Sequence, residues 1–235
     1  MPLIVHLETA TRICSVALAK NGTLISLRES STPNVHSSKL THFIDQVFQE
    51  SGLPVSALDA VAVSMGPGSY TGLRIGVAAA KGLCYALDKP LIAVPTLQAM
   101  AAGMLVKHPT APGKGKQYLC PMLDARRMEV YCSVYDDQLR EVRSTQAEII
   151  DENSFARELQ GAMILFGGEG ADKCRSVISP YPNASFLDSF ETSATFMIPL
   201  ALKRFHSGLF EDPAHFEPFY LKEFVAGKPR VKGLR

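Results

Sequence analysis

Along the chain, apolar and polar positions switch between a period of two and a period near 3.6, and the switches mark out its elements. Residues 3–8 (Leu-Ile-Val-His-Leu-Glu) are a short apolar run ending in an acid, the pattern of a largely buried strand. After a polar turn at Thr9 to Arg12, residues 13–19 and 23–27 give two more strands, separated by Lys20-Asn21-Gly22. Asn-Gly between two such runs signals a hairpin. Leu40, Phe43, Ile44, Val47 and Phe48 then fall on one face of a helix over 36–50, closed by Ser51-Gly52 with Pro54 beyond. The pattern goes on to a strand at 58–64, a helix at 70–87, a strand at 91–94 and a helix at 96–106.

Residues 109–116 carry two prolines, two glycines and two lysines, a composition suited to a linker. Beyond it the pattern restarts. Residues 119–124 are again an apolar run ending in an acid, followed by a basic turn (Arg126, Arg127), a strand at 129–135, the turn Asp136-Asp137-Gln138 and a strand at 139–142. Laying Leu123-Asp124 over Leu7-Glu8 brings Cys132-Ser133-Val134 within one or two positions of Cys14-Ser15-Val16, so a weak internal duplication is expected. The expected halves are 1–108 and 109–235. The second continues with a helix near 151–160, a strand at 162–166, a helix opened by Gly167-Gly168-Glu169-Gly170, a helix near 193–206, and a return strand or clasp at 218–222.

Composition narrows the classes. The 235 residues are 46% hydrophobic, enough for a sizeable core. A formal net charge of +1 marks neither nucleic acid nor an anionic membrane as an obligatory partner, so any such contact must be local. After Glu223 every charge is basic (Lys228, Arg230, Lys232, Arg235), so this tail, 226–235, is where a local contact with a nucleic acid is expected. Five scattered cysteines without a CxxC, an N-terminus without a basic leader, and no apolar stretch of spanning length point to the cytoplasm and no membrane.

The chemistry centres on Ser64 to Gly76, where four glycines and a proline separate a strand from a helix. Amides of Gly66, Gly68 and Ser69 ahead of a helix can cradle a phosphate; equally, the loop can be a tight turn with Ser69 as the helix cap. It is neither a Walker A loop nor GxGxxG. Gly72, Gly76 and Ala80 recur every four residues, a flat stripe that fits either the protein's own sheet or a partner. Glu8 and Asp124 each end the first strand of a half, where an acid can hold a metal-bound nucleotide or simply bond the turn. Thr9 follows Glu8 where an ATP-phosphate hairpin normally has glycine. His36 and His42, six apart, share no helix face and no metal; His6 reads as a core group. Cys14 or Ser69 with a distant histidine is the remaining nucleophile option.

Residues 7–11 with 14–17, then 66–76, then 124–131 (Asp-Ala-Arg-Arg-Met-Glu-Val-Tyr) closely resemble the bacterial TsaB (YeaZ) family. The resemblance implies an α/β fold of duplicated actin-like/Hsp70-like ATPase type, two lobes each with a mixed sheet and helices. It also implies a non-catalytic scaffold subunit in threonylcarbamoyladenosine synthesis on tRNA. That subunit forms a heterodimer with the catalytic TsaD, TsaE docks on the pair, and a homodimer is possible in isolation. On this reading Tyr70, Gly72, Leu73, Arg74, Gly76, Val77, Ala80 and Lys81 form the partner interface. Glu8, Thr9, Gly66, Gly68, Ser69 and Asp124 are weak nucleotide contacts, with ATP or ADP expected in the complex and none held tightly by the lone chain. TsaD carries a His-x-x-x-His metal pair; Thr96 and Met100 stand at the matching positions here, so no catalytic or metal residue is assigned. A hydrolase or protease, or a small-molecule kinase of the same fold, is the alternative.

Overall fold

The computed structural model describes residues 1–32, 35–109 and 116–222. Most of the expected linker and all of the 226–235 tail lie outside them. The first half runs β1 (Leu3–Glu8), β2 (Cys14–Lys20), β3 (Thr23–Ser30), α1 (His36–Ser51), β4 (Ala60–Gly66), α2 (Tyr70–Leu87), β5 (Leu91–Pro95) and α3 (Thr96–Lys107). The second runs β6 (Gln117–Asp124), β7 (Glu129–Tyr135), β8 (Glu141–Ile149), α4 (Ala156–Gly161), β9 (Met163–Gly167), α5 (Glu169–Ile178), β10 (Ala184–Leu187), a 3-10 turn (Ala194–Met197) and α6 (Ile198–His206).

The two sheets repeat one topology. The first has strand order β3-β2-β1-β4-β5, the second β8-β7-β6-β9-β10 when read from its antiparallel edge. In each, the first three strands are an antiparallel meander, the fourth pairs parallel with the first, and the fifth pairs parallel with the fourth. The duplication read from the sequence is therefore present in three dimensions, and the arrangement is the duplicated actin-like/Hsp70-like two-lobe α/β fold. Asn21 and Gly22 both have positive φ and join β2 to β3, as the Asn-Gly signal requires.

Both faces of the first sheet are covered. Leu3, Val5 and Leu7 point to α1 and α2, packing with Phe43, Val47, Val77 and Ala80. Ile4 points the other way, toward Ala99 and Ala102 of α3 and Leu200 and Ala201 of α6. Alternate residues of β1 thus face different layers, so the strand reads as unbroken apolar sequence. Helix α3 lies between the sheets: Leu97, Met100 and Met104 reach Leu119, Leu123 and Leu165 of the second sheet while Ala99 and Ala102 face the first. A helix buried on every side needs no polar stripe. α6, from the second half of the chain, also packs on the first sheet.

Several expectations shift. β8 begins at Glu141 rather than residue 139, because Leu139 sits in the preceding turn with φ 60°. The helix expected at 151–160 is confined to Ala156–Gly161, and that at 193–206 splits into the 3-10 turn and α6. The edge strand β10 was not expected. Residues 218–222 form no strand but act as a clasp: the Phe219 amide donates to the Met65 carbonyl at 2.7 Å.

Candidate functional site

β4 delivers the chain to Gly66, whose φ of 111° suits glycine, and a cis Gly66-Pro67 bond turns it toward α2. Two of the three loop amides have protein partners. Gly66 N donates to Thr96 Oγ1 at 3.2 Å and Ser69 N to the Ala10 carbonyl at 2.6 Å. Ser69 Oγ accepts from Gly72 N at 3.3 Å, capping α2. Ser69 thus caps α2 as the tight-turn reading expects, and the Gly66 and Ser69 amides are bonded within the fold.

The small-residue stripe needs a correction. A Cβ on Gly68 would overlap the Ala10 carbonyl, one on Gly72 the Thr9 carbonyl, and one on Gly76 the Thr9 hydroxyl. Leu73, Val77 and Ala80 are buried on the same side. The partner of this stripe is the molecule's own β1–β2 turn, so Gly72, Leu73, Gly76, Val77 and Ala80 are not a surface another chain can reach. Lys81 is committed as well, donating to the Ala214 and Phe216 carbonyls at 3.3 and 3.1 Å. Tyr70 stacks on Tyr220 with centroids 5.0 Å apart, and Arg74 donates to the Tyr70 hydroxyl at 3.0 Å. The side of α2 that faces out is Thr71, Arg74, Ala78, Gly82, Tyr85 and Ala86, with Tyr85 91% exposed.

Glu8 and Asp124 end equivalent strands, yet their surroundings differ. Glu8 is fully buried; one carboxylate oxygen accepts from Ala10 N at 2.7 Å and the other has no partner among the described residues. Burial without a cation pushes its pKa from the ordinary 4.5 up to about 7. Thr9 is buried beside it, its amide donating to Ser64 Oγ at 3.2 Å. Asp124 is exposed, accepts from Arg126 N at 2.7 Å, and is ion-paired with Lys173. Lys173, which pattern reading missed, lies 49 residues away and carries no local signal.

Between the two hairpins, Arg12 spans the sheets, pairing with Glu169 at the start of α5 at 2.9 Å and with Glu191. Thr11 and Thr192 share a hydrogen bond of 2.7 Å alongside. The cavity left there, lined by Thr11, Ile13, Gly168, Glu169 and Phe190 among others, measures about 10 Å³, room for one water molecule at most. The Gly66 and Ser69 amides and Asp124 thus already have partners within the fold. A larger cavity of about 430 Å³ opens between β3 and residues 191–196; it shares Ile13, Glu191 and Thr192 with the small one, and Glu8, Thr9, Gly66, Gly68, Ser69 and Asp124 do not line it.

The remaining candidates are structural. Thr96 and Met100 are both buried, the first accepting from Gly66 and the second packed in the core between the sheets. Among the described residues no three His, Cys, Asp or Glu side chains are grouped to hold a metal. Burial pushes the Cys14 thiol up to about 11, away from nucleophilic use. His6, donating through Nδ1–H to the Ala17 carbonyl at 3.2 Å, is lowered by burial to about 4 and stays neutral. No helix among the described residues is long and apolar enough to cross a membrane.

A family model described as TsaD, tRNA N6-adenosine threonylcarbamoyltransferase, matches residues 30–204. The tRNA threonylcarbamoyladenosine biosynthesis protein TsaB of Escherichia coli (strain K12) is 30% identical over 240 residues, covering 96% of each chain. The chain belongs to the TsaB (YeaZ) family. TsaB of Haemophilus influenzae is 35% identical over 130 residues, 55% of this chain and 52% of that one. A Pseudomonas aeruginosa crystal structure, described as an uncharacterized protein with similarity to peptidase YEAZ, superposes with a TM-score of 0.83 at 26% identity, covering 94% of this chain and all of that one. For a TsaB-family chain that matches the TsaD model, the residues at the paired-histidine positions are then the informative ones: a hydroxyl and a thioether, both consumed in packing.

Proposed function

We propose that this protein takes part in threonylcarbamoyladenosine synthesis on tRNA as a non-catalytic scaffold that forms a heterodimer with a TsaD-type subunit. The observation that carries the reading is the use of Thr96 and Met100, in a TsaB-family chain, as fold-holding groups where a TsaD-type site has two imidazoles. The outward side of α2, Ala78, Gly82, Tyr85 and Ala86 with Thr71 at its start, supports a helix-on-helix partner contact. It is an exposed helix face of small residues beside a prominent aromatic. In isolation the same face serves a homodimer. Nucleotide and the ATP-binding TsaE join at the level of the complex, and the lone chain holds no ATP or ADP tightly. The hydrolase alternative loses its nucleophiles, since Cys14 is a buried thiol and Ser69 Oγ is spent on the Gly72 amide.

Reconstitution tests the reading. Purified protein and a TsaD-type subunit, with threonylcarbamoyl-adenylate and unmodified tRNA, should form the modified nucleoside only together. Modification by this chain alone, or by the TsaD-type subunit alone at the same rate, would overturn it.

A further inference from the structure

Residues 209–222 leave α6 and run back over the first half as a strap. Glu211 bridges to Leu91 of β5, Lys81 of α2 holds the Ala214 and Phe216 carbonyls, and Phe219 bonds Met65. Tyr220 then packs against Tyr70, the two rings tilted by 37°, and the Arg74 guanidinium lies over the Tyr70 ring, 5.4 Å from its centroid. Two residues later Lys222 pairs with Glu129, at the start of β7. The strap therefore ends against the β6–β7 turn, and a continuous path runs from α2 through the strap to that turn.

Ahead of Phe219 the strap carries Glu211, Asp212 and Glu217; at its turn end the unmatched charge is basic. The two acids of the turn, Asp124 and Glu129, are each matched by a lysine, Lys173 and Lys222. Arg126 and Arg127 are exposed, follow each other with φ of 71° and 52°, and have no ion pair among the described residues. Glu217 is the other exposed acid near the strap's end. On the strap itself, two to three residues before Lys222, the rings of Phe219 and Tyr220 are open, 42% and 37% exposed. In sequence, the residues after Lys222 add four cations against one acid.

We propose that the band from Tyr70 and Tyr220 through Phe219 to Arg126 and Arg127 is an RNA contact surface on this chain. Arg126 and Arg127 bind phosphates, while the exposed faces of Tyr220 and Phe219 receive unpaired bases. Aromatic faces beside guanidinium groups are the chemistry that single-stranded RNA segments use, because every base has a π-face and every nucleotide a phosphate. An anionic membrane would call instead for an amphipathic helix or a longer lysine cluster, and neither flanks the band. Choosing tRNA as the RNA rests on the scaffold reading; the band itself rests on the contacts above. Arg74 braces Tyr70 and is a positioning residue.

The test uses the full chain alone and a fluorescein-labelled unmodified tRNA, with anisotropy followed between about 50 and 200 mM salt. Binding in the micromolar range is expected at the low end. The R126Q/R127Q variant should make the salt dependence shallower by about 1.5 in log K against log salt, so that the loss between the two salts shrinks about eightfold. Tyr220→Ala should weaken binding about tenfold at every salt without changing the slope. Arg157→Gln, an exposed arginine on α4, should leave both unchanged. Thermal melting of each variant checks the fold. No binding at low salt, or a double variant indistinguishable from Arg157→Gln, overturns the proposal. If R126Q/R127Q binds RNA normally but loses the TsaD-type subunit, the band is a protein contact and the RNA assignment fails. Failure of the scaffold reading shows separately, in reconstituted modification, while lone-chain RNA binding stays as measured.

Discussion

The turn after β1 and the turn after β6 hold the same place in two copies of one topology, yet one is dry and the other ionic. Glu8 has no counterion and lies beneath the start of α2, whereas Asp124 stands in water with Lys173. The helices beside them differ in the same sense. The inward stripe of α2 is Gly72, Gly76 and Ala80, which lets the Thr9 backbone sit against the helix axis; that of α5 is Gly170, Cys174 and Ile178, which fills the space with side chains. Duplication kept the strand order, and side-chain volume at a few helix positions decided which turn was pressed into the core. In the first half this packs the β1–β2 turn against α2 and leaves Ala78, Gly82 and Tyr85 exposed on the outer side of that helix.

Filling the α2 stripe should break the difference most severely. Gly72→Val places carbon on the Thr9 carbonyl, a backbone clash with no rotamer escape, and Gly76→Val places it on the buried Thr9 side chain. A loss of at least ~3 kcal/mol is expected, read as a large fall in urea midpoint or a failure to fold. These variants therefore test the core, not the partner interface.

The dry turn should also show in pH dependence. Glu8, raised from 4.5 to about 7, keeps a proton in the folded protein that the unfolded chain has released, so its contribution falls as pH rises across that window. His6, lowered from 6.5 to about 4, refuses a proton that the unfolded chain accepts, so its contribution rises with pH between those values. The two oppose each other between about 4.5 and 6.5. Glu8→Gln should expose the histidine alone, with stability rising by up to ~1.4 kcal/mol per pH unit there. Urea titrations from pH 4.5 to 6.5 would show it, and a flat profile in the variant would contradict the assignment. At the ionic turn, Asp124→Asn removes only a part-exposed pair, and a change below ~1 kcal/mol is expected in the same titration.

At the small end, Gly82→Ala should stabilise. Gly82 lies on the outward side of α2 with nothing within 4 Å of an added Cβ, so the helix gains roughly 0.5–1 kcal/mol and the melting temperature rises. Gly76 and Gly82 thus give opposite signs on one helix.

Much of this was legible in the residues. The bounds of α2 match the expectation, because Ser69 and a continuous apolar face define it, and the repeat surfaced through paired apolar-acid endings. The stripe announced a close approach but not its occupant, since Thr9 lies more than sixty positions earlier and nothing in its type marks it as the neighbour. β10 escaped because Ala184–Leu187 is a four-residue, half-buried edge strand without alternation. Arg12 with Glu191 and Lys173 with Asp124 are pairings of exposed charges set only by the final fold.

The central claim is that α2 shows the core its glycines and a partner its Ala78–Tyr85 side. Co-purification of Ala78→Arg with a TsaD-type subunit, alongside its melting curve, tests this directly. An unchanged melting temperature with association lost is the expected result. Association retained at wild-type level by a folded Ala78→Arg protein would contradict the account.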